Sequence, residues 1–343
     1  ILGGIMELKN VFIAGGTGFL GYYTAMQFDK MNIKVDTIAL PKELNNLDWF
    51  PKNIGLSFGN LFEMTDEEII KLLKKNNYDA FIYALGPDDR VVPDAPAIDF
   101  FAEKLVNQSK RICECAKNAG IKRCVVLGSY FAHFDKLQNG ELGKYHPYIK
   151  ARTMQEEAVF SLADENFDVM VAELPYIFGT MPERKPLWRE SFLSNFDGMK
   201  SVFFPAGGGT AMIDVTGVAE YIVAIAINGK SKTAYPVAKE NMTYKDLVML
   251  MMKESKDNRP YKELPAFLCA LGAKKMVKHI KKQGKESGLN AAKLMTQIQN
   301  KKFYINPEPI KEELKFTELG FTGGRDVKES IAETMKACYP ERF

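Results

Sequence analysis

Three glycines spaced three residues apart follow an apolar run near the start of the chain, and they constrain its fold more than any other feature. The run spans Val11 to Ala14, the glycines are Gly15, Gly18 and Gly21, and an amphipathic segment from Tyr22 to Lys30 follows. This order predicts a β-strand, a tight turn and an α-helix. Backbone N–H groups and the positive end of a helix dipole favour an anion at such a junction, so the turn predicts a pyrophosphate site.

Each glycine of the turn has a separate expected role. Gly15 permits the turn, Gly18 lets the backbone approach a phosphate, and Gly21 lets the helix pack closely on the strand. The spacing is Gly-x-x-Gly-x-x-Gly, which differs from the Gly-x-Gly-x-x-Gly of the usual dinucleotide fingerprint. A glycine cluster alone also fits an ordinary strand–helix turn, but its place between a strand and a helix favours nucleotide binding.

The size and charge of the chain narrow the class of protein. Its 343 residues are 46% hydrophobic, which suits one large domain or one domain with a smaller lobe. The formal net charge of +3 gives no argument for a nucleic-acid partner. Five cysteines without a Cys-x-x-Cys pair predict reduced thiols in a cytoplasmic protein, and three histidines without clustered Cys or His ligands predict no metal site. No apolar run approaches the roughly 20 residues of a membrane span.

Short apolar runs alternate with helical patterns through the first half of the chain. After the first strand, predicted strands cover Lys34–Leu40, Ile54–Phe58, Asp79–Leu85, Arg123–Leu127 and Asp168–Leu174. After the first helix, predicted helices cover Asp66–Asn76, Phe100–Ala119 and Tyr148–Leu162. This alternation predicts an α/β fold, a Rossmann-like doubly wound parallel sheet with helices on both faces.

The pattern loosens after Pro175. Predicted helices cover Arg184–Lys200, Val215–Ile227, Thr243–Glu254 and Asp326–Cys338, with a strand at Ala234–Val237 and a loop at Gly207–Gly209. Pro265–Lys282 is basic and amphipathic, which is typical of a surface helix and also of a helix that lies on an anionic membrane or a partner. We expect a dinucleotide-binding core over residues 6–175, beginning at Met6, and mainly a small C-terminal substrate lobe over 176–343, with segments that return to the core.

A second group of residues bears chemistry. Gly128 and Ser129 end the fifth predicted strand, and Tyr148 opens a helix about twenty residues later. Arg152 and Glu156 follow Tyr148 at four and eight residues, so the three side chains lie on one helical face.

These residues resemble the extended short-chain dehydrogenase/reductase family, the group of NAD-dependent epimerases and dehydratases. The segments that carry the resemblance are the glycine turn, Gly59–Leu61, Ser129, the Tyr148 helix, Pro175–Gly179 and Glu318–Phe321. They are specific to the superfamily and say little about a reaction. The resemblance implies an oxidoreductase or epimerase that acts on a carbonyl or alcohol, and it also implies a homodimer.

The resemblance assigns roles to individual residues. Tyr148 is the acid–base and Ser129 orients a carbonyl, while Arg152 stands where the family has a lysine that holds the nicotinamide ribose. A free tyrosine has a pKa of about 10, so it needs a nearby cation to work near neutrality. The implied cofactor contacts are Gly15, Thr17, Gly18, Phe19, Leu20, Gly21, Lys42, Asn60, Leu61, Ala84, Leu85, Gly86, Arg152, Pro175 and Ile177.

Arg152 is the first departure from the family pattern. Arginine keeps the positive charge, but its planar fork is larger and does not lose its proton to a relay. Three interpretations stay open: Arg152 substitutes for the lysine in a slow or altered enzyme, it binds an anionic group of the substrate, or the chain binds the cofactor with weak or lost catalysis.

Two further departures concern the ligands. Ala39 stands where NAD-preferring members carry an acid, so a 2′-phosphate meets no repulsion there and Lys42 can pair with it; this favours NADP over NAD. Asn60 replaces the aspartate usual beside adenine. The segment 209–215 lacks the arginine that clamps a sugar nucleotide. Nucleotide sugars and more apolar carbonyl compounds both stay open as substrates, the latter because apolar residues lie near the expected pocket: Tyr176, Phe178, Met181 and Trp188.

Overall fold

Strands and helices alternate along the chain in the computed structural model, which describes residues 8–41 and 47–343. The strands are β1 (Asn10–Ala14), β2 (Lys34–Ala39), β3 (Gly55–Phe58), β4 (Ala80–Tyr83), β5 (Arg123–Ser129), β6 (Asp168–Leu174), β7 (Tyr176–Phe178), β8 (Val202–Pro205), β9 (Gly209–Asp214), β10 (Thr233–Pro236), β11 (Glu240–Thr243), β12 (Tyr261–Leu264) and β13 (Lys302–Phe303). Met6 and Lys42 lie outside the described residues.

The helices occupy most of the remaining chain. They are α1 (Phe19–Lys30), α2 (Asp66–Leu73), α3 (Ala97–Phe101), α4 (Gln108–Asn118), α5 (Tyr130–Leu137), α6 (Pro147–Phe160), α7 (Trp188–Ser191), α8 (Val215–Asn228), α9 (Tyr244–Glu254), α10 (Ala266–Lys282), α11 (Ala291–Gln297), α12 (Glu308–Glu313), α13 (Phe316–Leu319) and α14 (Val327–Cys338). A π-helical segment, Ala102–Asn107, joins α3 to α4. None of the helices in the described part of the chain has the length and apolar character needed to cross a membrane.

Seven parallel strands form the central sheet, in the order β3-β2-β1-β4-β5-β6-β10. The order reverses next to β1, because the chain runs outward through β2 and β3 and then returns to place β4 on the other side of β1. The crevice at the carboxyl ends of β1 and β4 is therefore the topological switch point, where open α/β sheets bind ligands. The predicted doubly wound α/β fold is confirmed.

Alternate residues of each central strand face opposite sides of the sheet, and helices cover both sides. On one side Val11 and Ile13 pack in a core with Phe28 of α1 and Ile222 of α8. On the other side Phe12 packs with apolar residues of α2, α4 and α6. Because both faces are covered, β1 and β4–β6 are almost wholly buried, as a parallel sheet requires.

The second half of the chain builds a lobe and also returns to the sheet. β9 pairs with β7, β11 and β13, and β8 pairs with β12 in a separate two-stranded ladder. β10 joins the central sheet beside β6. The boundary at residue 175 stays a prediction, with β10 as one segment that rejoins the core.

Two predictions of secondary structure are wrong, and one helix was not predicted. The helix expected over Arg184–Lys200 is only α7 and a 3₁₀ turn at Leu193–Phe196, because Pro186 interrupts the start and the chain bends at Phe192. Gly209 begins the buried strand β9 instead of ending a loop. The helix α5 was not predicted, since most of its residues are buried and its polar side is short, with only His133 and Lys136 as partly or fully exposed polar residues.

Candidate active site

The glycine turn brings α1 into backbone contact with the end of β1. Gly15 has a φ of +93°, in the left-handed region that favours glycine, and its carbonyl accepts a hydrogen bond from the Gly18 N–H at 3.0 Å. A Cβ on Gly21 would overlap the Gly15 carbonyl oxygen. No side chain of the described residues caps α1 at Gly18, so its first N–H groups are open to a ligand.

One cavity of about 1290 Å³ begins at this turn and extends into the lobe. Many of the predicted cofactor residues line it: Gly18, Phe19, Leu20, Gly21, Ala84, Leu85, Gly86, Arg152, Pro175 and Ile177. They come from the turn, the carboxyl ends of β4 and β6, and α6. The sheet therefore brings together residues that are far apart in the sequence.

The remaining predicted cofactor residues are not among the described residues that line the cavity. Gly15 and the buried Thr17 lie in the turn itself. The Asn60 side chain accepts a hydrogen bond from the Phe62 N–H at 3.1 Å, and Leu61 is buried. Lys42 falls outside the described residues, so the structure does not place it.

Tyr148 and Arg152 are in direct contact, one turn apart on α6. Arg152 Nε donates to the Tyr148 hydroxyl at 3.0 Å, and the guanidinium carbon lies 5.1 Å from the centre of the tyrosine ring. The same guanidinium donates to the Leu127 carbonyl at 3.1 Å and to Gln155 Oε1 at 2.8 Å. These bonds fix the planar fork in one orientation.

Burial and charge oppose each other at the Tyr148 hydroxyl. Burial raises the pKa of Tyr148 above its ordinary value, and the Arg152 guanidinium offsets only part of that rise. The ring of Phe101 contacts the tyrosine ring edge to face, with centroids 5.5 Å apart. The hydroxyl is therefore neutral near pH 7 and held by a permanent cation.

Segments of the lobe close over the start of α6. The Tyr148 N–H donates to the Gly288 carbonyl at 3.0 Å, and the Asn290 N–H donates to His146 Nδ1 at 3.1 Å. Burial lowers the pKa of His146 to about 4, so its imidazole is neutral and accepts that bond.

Ser129 lies at the end of β5, as predicted, but it caps a helix. Its hydroxyl accepts a hydrogen bond from the Phe131 N–H at 3.3 Å at the start of α5. Of the three predicted catalytic residues, all of which the structure describes, Arg152 lines the cavity, whereas Ser129 and Tyr148 are buried and are not among its lining residues.

Two acidic residues of the cavity wall were missed. Asp88 and Asp89 follow the end of β4 after four intervening residues, in the segment between β4 and α3, and both line the cavity with Arg90. Arg90 Nε donates a hydrogen bond to the Asp88 carboxylate at 2.8 Å. The neighbouring Asp89 carboxyl is the second acidic group of the cavity wall. Burial and the Asp88 charge raise the pKa of Asp89 to about 6. Their position just beyond a strand at the carboxyl edge of the sheet was the available signal.

Two buried carboxylates and a partly exposed lysine form a group of charges one turn beyond Arg152. Glu156 of α6 and Glu173 of β6 share the ammonium of Lys136, at 2.6 and 2.8 Å. His133 Nδ1 lies 3.5 Å from Glu173. Burial, together with the Glu173 charge, raises the pKa of Glu156. This group ties α5, α6 and β6 together behind the cavity wall.

The sequence model of the NAD dependent epimerase/dehydratase family matches residues 11–237. The match covers the sheet, the glycine turn and the Tyr148 helix. The chain belongs to this family, so the resemblance stated from the sequence is confirmed. No curated protein sequence matches the chain.

Solved structures of similar fold span nearly the whole chain. A nucleoside-diphosphate-sugar epimerase from Pseudomonas aeruginosa aligns with a TM-score of 0.69 and 13% identity, over 97% of this chain and 98% of that one. UDP-glucose 4-epimerase from Bifidobacterium longum gives 0.67 and 14%, over 98% and 100%. A dTDP-glucose 4,6-dehydratase from Bacillus anthracis gives 0.64 and 13%, over 96% of each chain. At these identities the likeness shows the fold alone.

Proposed function

We propose that this protein is an NAD(P)-dependent oxidoreductase or epimerase that acts on a carbonyl or alcohol group of a small molecule. The observation that carries the proposal is the contact between the Tyr148 hydroxyl and Arg152, whose guanidinium lines the cavity that begins at the glycine turn. Arg152 therefore connects the candidate acid–base group, Tyr148, to the cavity that begins at the glycine turn.

The turn fits the pyrophosphate of a dinucleotide. The glycines leave backbone N–H groups uncovered by any Cβ, and α1 begins there. Gly18 to Gly21 would hold the pyrophosphate, the segment Ala84–Gly86 would lie along the dinucleotide, and Arg152 would hold the nicotinamide ribose. When bound, the nicotinamide supplies hydride transfer.

Tyr148 would exchange a proton with the substrate oxygen, as general acid in reduction and as general base in oxidation. Arg152 would stabilise the tyrosinate form. Because arginine keeps its proton, Arg152 acts as a fixed charge and not as a link in a proton relay. Ser129, at the end of β5, would orient the carbonyl.

We propose a preference for NADP from one position. Ala39, at the end of β2, is buried and brings no carboxylate to the adenosine ribose. The Bifidobacterium longum and Bacillus anthracis structures were solved with NAD+ and NAD. Titration calorimetry with NADPH and NADH tests the preference, and equal or tighter NADH binding would contradict it.

The test of the catalytic role is Tyr148→Phe, with turnover measured on nucleotide sugars and on aliphatic carbonyl compounds. Loss of the hydroxyl should lower kcat by about 10²–10⁴-fold, the usual contribution of general acid–base catalysis, while cofactor binding persists. Tyr145→Phe is the matched control, since Tyr145 is an exposed tyrosine just before α6. Unchanged turnover in Tyr148→Phe would overturn the assignment.

One observation favours a second candidate, a cofactor-binding protein with weak or lost catalysis. Arg152 holds the Tyr148 hydroxyl, and of these two described residues only Arg152 lines the cavity. Arg152→Lys separates the candidates. A large gain in turnover would show that the natural arginine weakens catalysis, which supports the cofactor-binding candidate. A loss of turnover would show that Arg152 is the cation that catalysis uses.

We also propose a cytoplasmic homodimer, from the resemblance and from the cysteine pattern. All five cysteines are unpaired and four are buried, in agreement with reduced thiols. Light scattering of the purified protein tests the dimer, and a monomeric mass at micromolar concentration would contradict it.

A further inference from the structure

The cavity continues beyond the residues assigned to the cofactor into a region that we call the distal chamber. Its walls carry large apolar side chains, including Trp188, Phe192, Phe196, Leu268, Met276 and Met295. The whole cavity, at about 1290 Å³, exceeds the roughly 300–1,000 Å³ of a site for one drug-sized ligand. A second ligand therefore has room beside the one at the glycine turn.

Two polar side chains of the distal chamber already form hydrogen bonds with backbone carbonyl groups. Ser191 donates to the Leu187 carbonyl, and Asn195 donates to the Phe192 carbonyl. Gln299 is buried, and its amide oxygen has no hydrogen-bond partner among the described residues. Gln299 thus offers a buried polar anchor within a largely apolar wall.

The cations of the cavity wall are unsuited to a buried diphosphate. Arg90 is paired with Asp88, and Arg152 is bound to Tyr148, Leu127 and Gln155. The remaining basic side chains among the described lining residues are exposed at the margin: Arg184, Lys185 and Lys275. A diphosphate is bound strongly where an arginine fork meets it directly and out of water.

One side of α10 covers the distal chamber. Leu268, Gly272 and Met276 repeat every four residues and line the cavity, so they share one helical face. Leu271 does not line it and is 54% exposed, against 44% for Leu268. The two leucines are thus a matched pair on one helix that differ in contact with the chamber.

We propose that the distal chamber binds an extended hydrocarbon chain of the substrate, so that the substrate is a long-chain carbonyl or alcohol compound and not a sugar nucleotide. This inference rests on the proposed function, which places the reacting group at Tyr148. The chain then lies against the aromatic and aliphatic wall, and the exposed cations at the margin stay in water.

The first experiment measures kcat/KM for straight-chain aldehydes from butanal to decanal, with UDP-glucose as the comparison. Burial of one methylene should raise kcat/KM by about fourfold, so the series should rise at least a hundredfold before it levels off. Leu268→Glu should flatten the rise, and Leu271→Glu, with the same charge on the solvent side of α10, should leave it as in the wild type. A flat series, or equal loss in both variants, would overturn the inference.

The second experiment detects binding without turnover, so the two proposals fail separately. The chain has two tryptophans, and in a Trp49→Phe background the emission comes from Trp188 in the chamber wall. Titration with alkan-1-ols from butanol to decanol should show affinity that rises with chain length and falls in Leu268→Glu. A chain-length effect without turnover of any compound supports the chamber and overturns the proposed function. Turnover of UDP-glucose without any chain-length effect supports the function and overturns the chamber.

Discussion

The two ends of the cavity, at the glycine turn and in the distal chamber, differ in whether backbone or side chains form their surface. At the turn, the surface is backbone: glycines, open N–H groups of α1 and the carboxyl ends of β1 and β4. In the distal chamber, the surface is side chains from α7, α10, α11 and the segments between them. A backbone surface tolerates one ligand geometry and few substitutions, whereas a side-chain surface can be rebuilt by many sequences. We therefore expect the turn to be shared across the family and the chamber, as proposed, to select the substrate.

The sharpest test of this contrast is the same substitution at both ends. Gly21→Ala would force a Cβ against the Gly15 carbonyl, and both atoms belong to the packed junction of β1 and α1. Since rigid backbone cannot yield as a side chain does, α1 must shift away from β1, and the open N–H groups at its start shift with it. We expect the affinity for the cofactor to fall about a thousandfold, or about 4 kcal/mol, measured by calorimetry.

Gly272→Ala is the matched control in the distal chamber. A Cβ there would meet no atom within 4 Å, and the residue lies inside α10. We expect the affinity for the cofactor to be unchanged and the free energy of unfolding to rise by about 1 kcal/mol, because alanine favours a helix over glycine. Equal losses of cofactor affinity in both variants would break the contrast between the two ends.

The pH dependence of stability tests the contact between His146, before α6, and Asn290, at the start of α11. His146 is the N-cap residue just before α6, and its neutral Nδ1 accepts a hydrogen bond from the N–H of Asn290, the N-cap residue of α11. The unfolded chain takes up a proton at a pKa near 6.5, whereas burial holds the folded pKa at about 4. Stability from this group is therefore present above pH 6.5 and lost as the pH falls towards 4, by about 3 kcal/mol in total.

His146→Asn supplies the control for that prediction, because the asparagine oxygen can accept the same N–H and does not titrate. Urea unfolding at pH 7.5 and 4.5 should show a smaller acid loss in the variant than in the wild type. Identical acid losses would mean that His146 does not titrate in the unfolding transition.

How far the sequence predicts each region follows from the same contrast. The glycine turn, β6 and the contact of Tyr148 with Arg152 were predictable, because each depends on a few residues at fixed spacing. The sequence did not reveal α5, whose residues are buried around most of its circumference, or the break at Phe192. The distal chamber joins segments around residues 188, 268 and 295, and no local period connects such distant positions.

Asp89 carries the prediction of smallest expected effect. Its side chain lines the cavity at the end near the glycine turn, where most of the surface is backbone. Its pKa is raised to about 6, so it titrates within the pH range of an activity assay. The ionised carboxylate accepts a hydrogen bond from a substrate alcohol more strongly than the protonated carboxyl does, and so orients the alcohol for proton transfer to Tyr148. For alcohol oxidation, kcat/KM should therefore rise about tenfold between pH 5 and 7, with a midpoint near 6.

Asp89→Asn should remove that rise and leave the remaining profile flat across the same range. Asp94 is an exposed aspartate in the segment between β4 and α3, and Asp94→Asn should keep the wild-type profile. A midpoint near pH 6 that persists in Asp89→Asn would assign the titration to another group. Loss of the midpoint, with the chain-length effect intact, would show that a charge at the turn end and the apolar wall of the distal chamber act on the substrate independently.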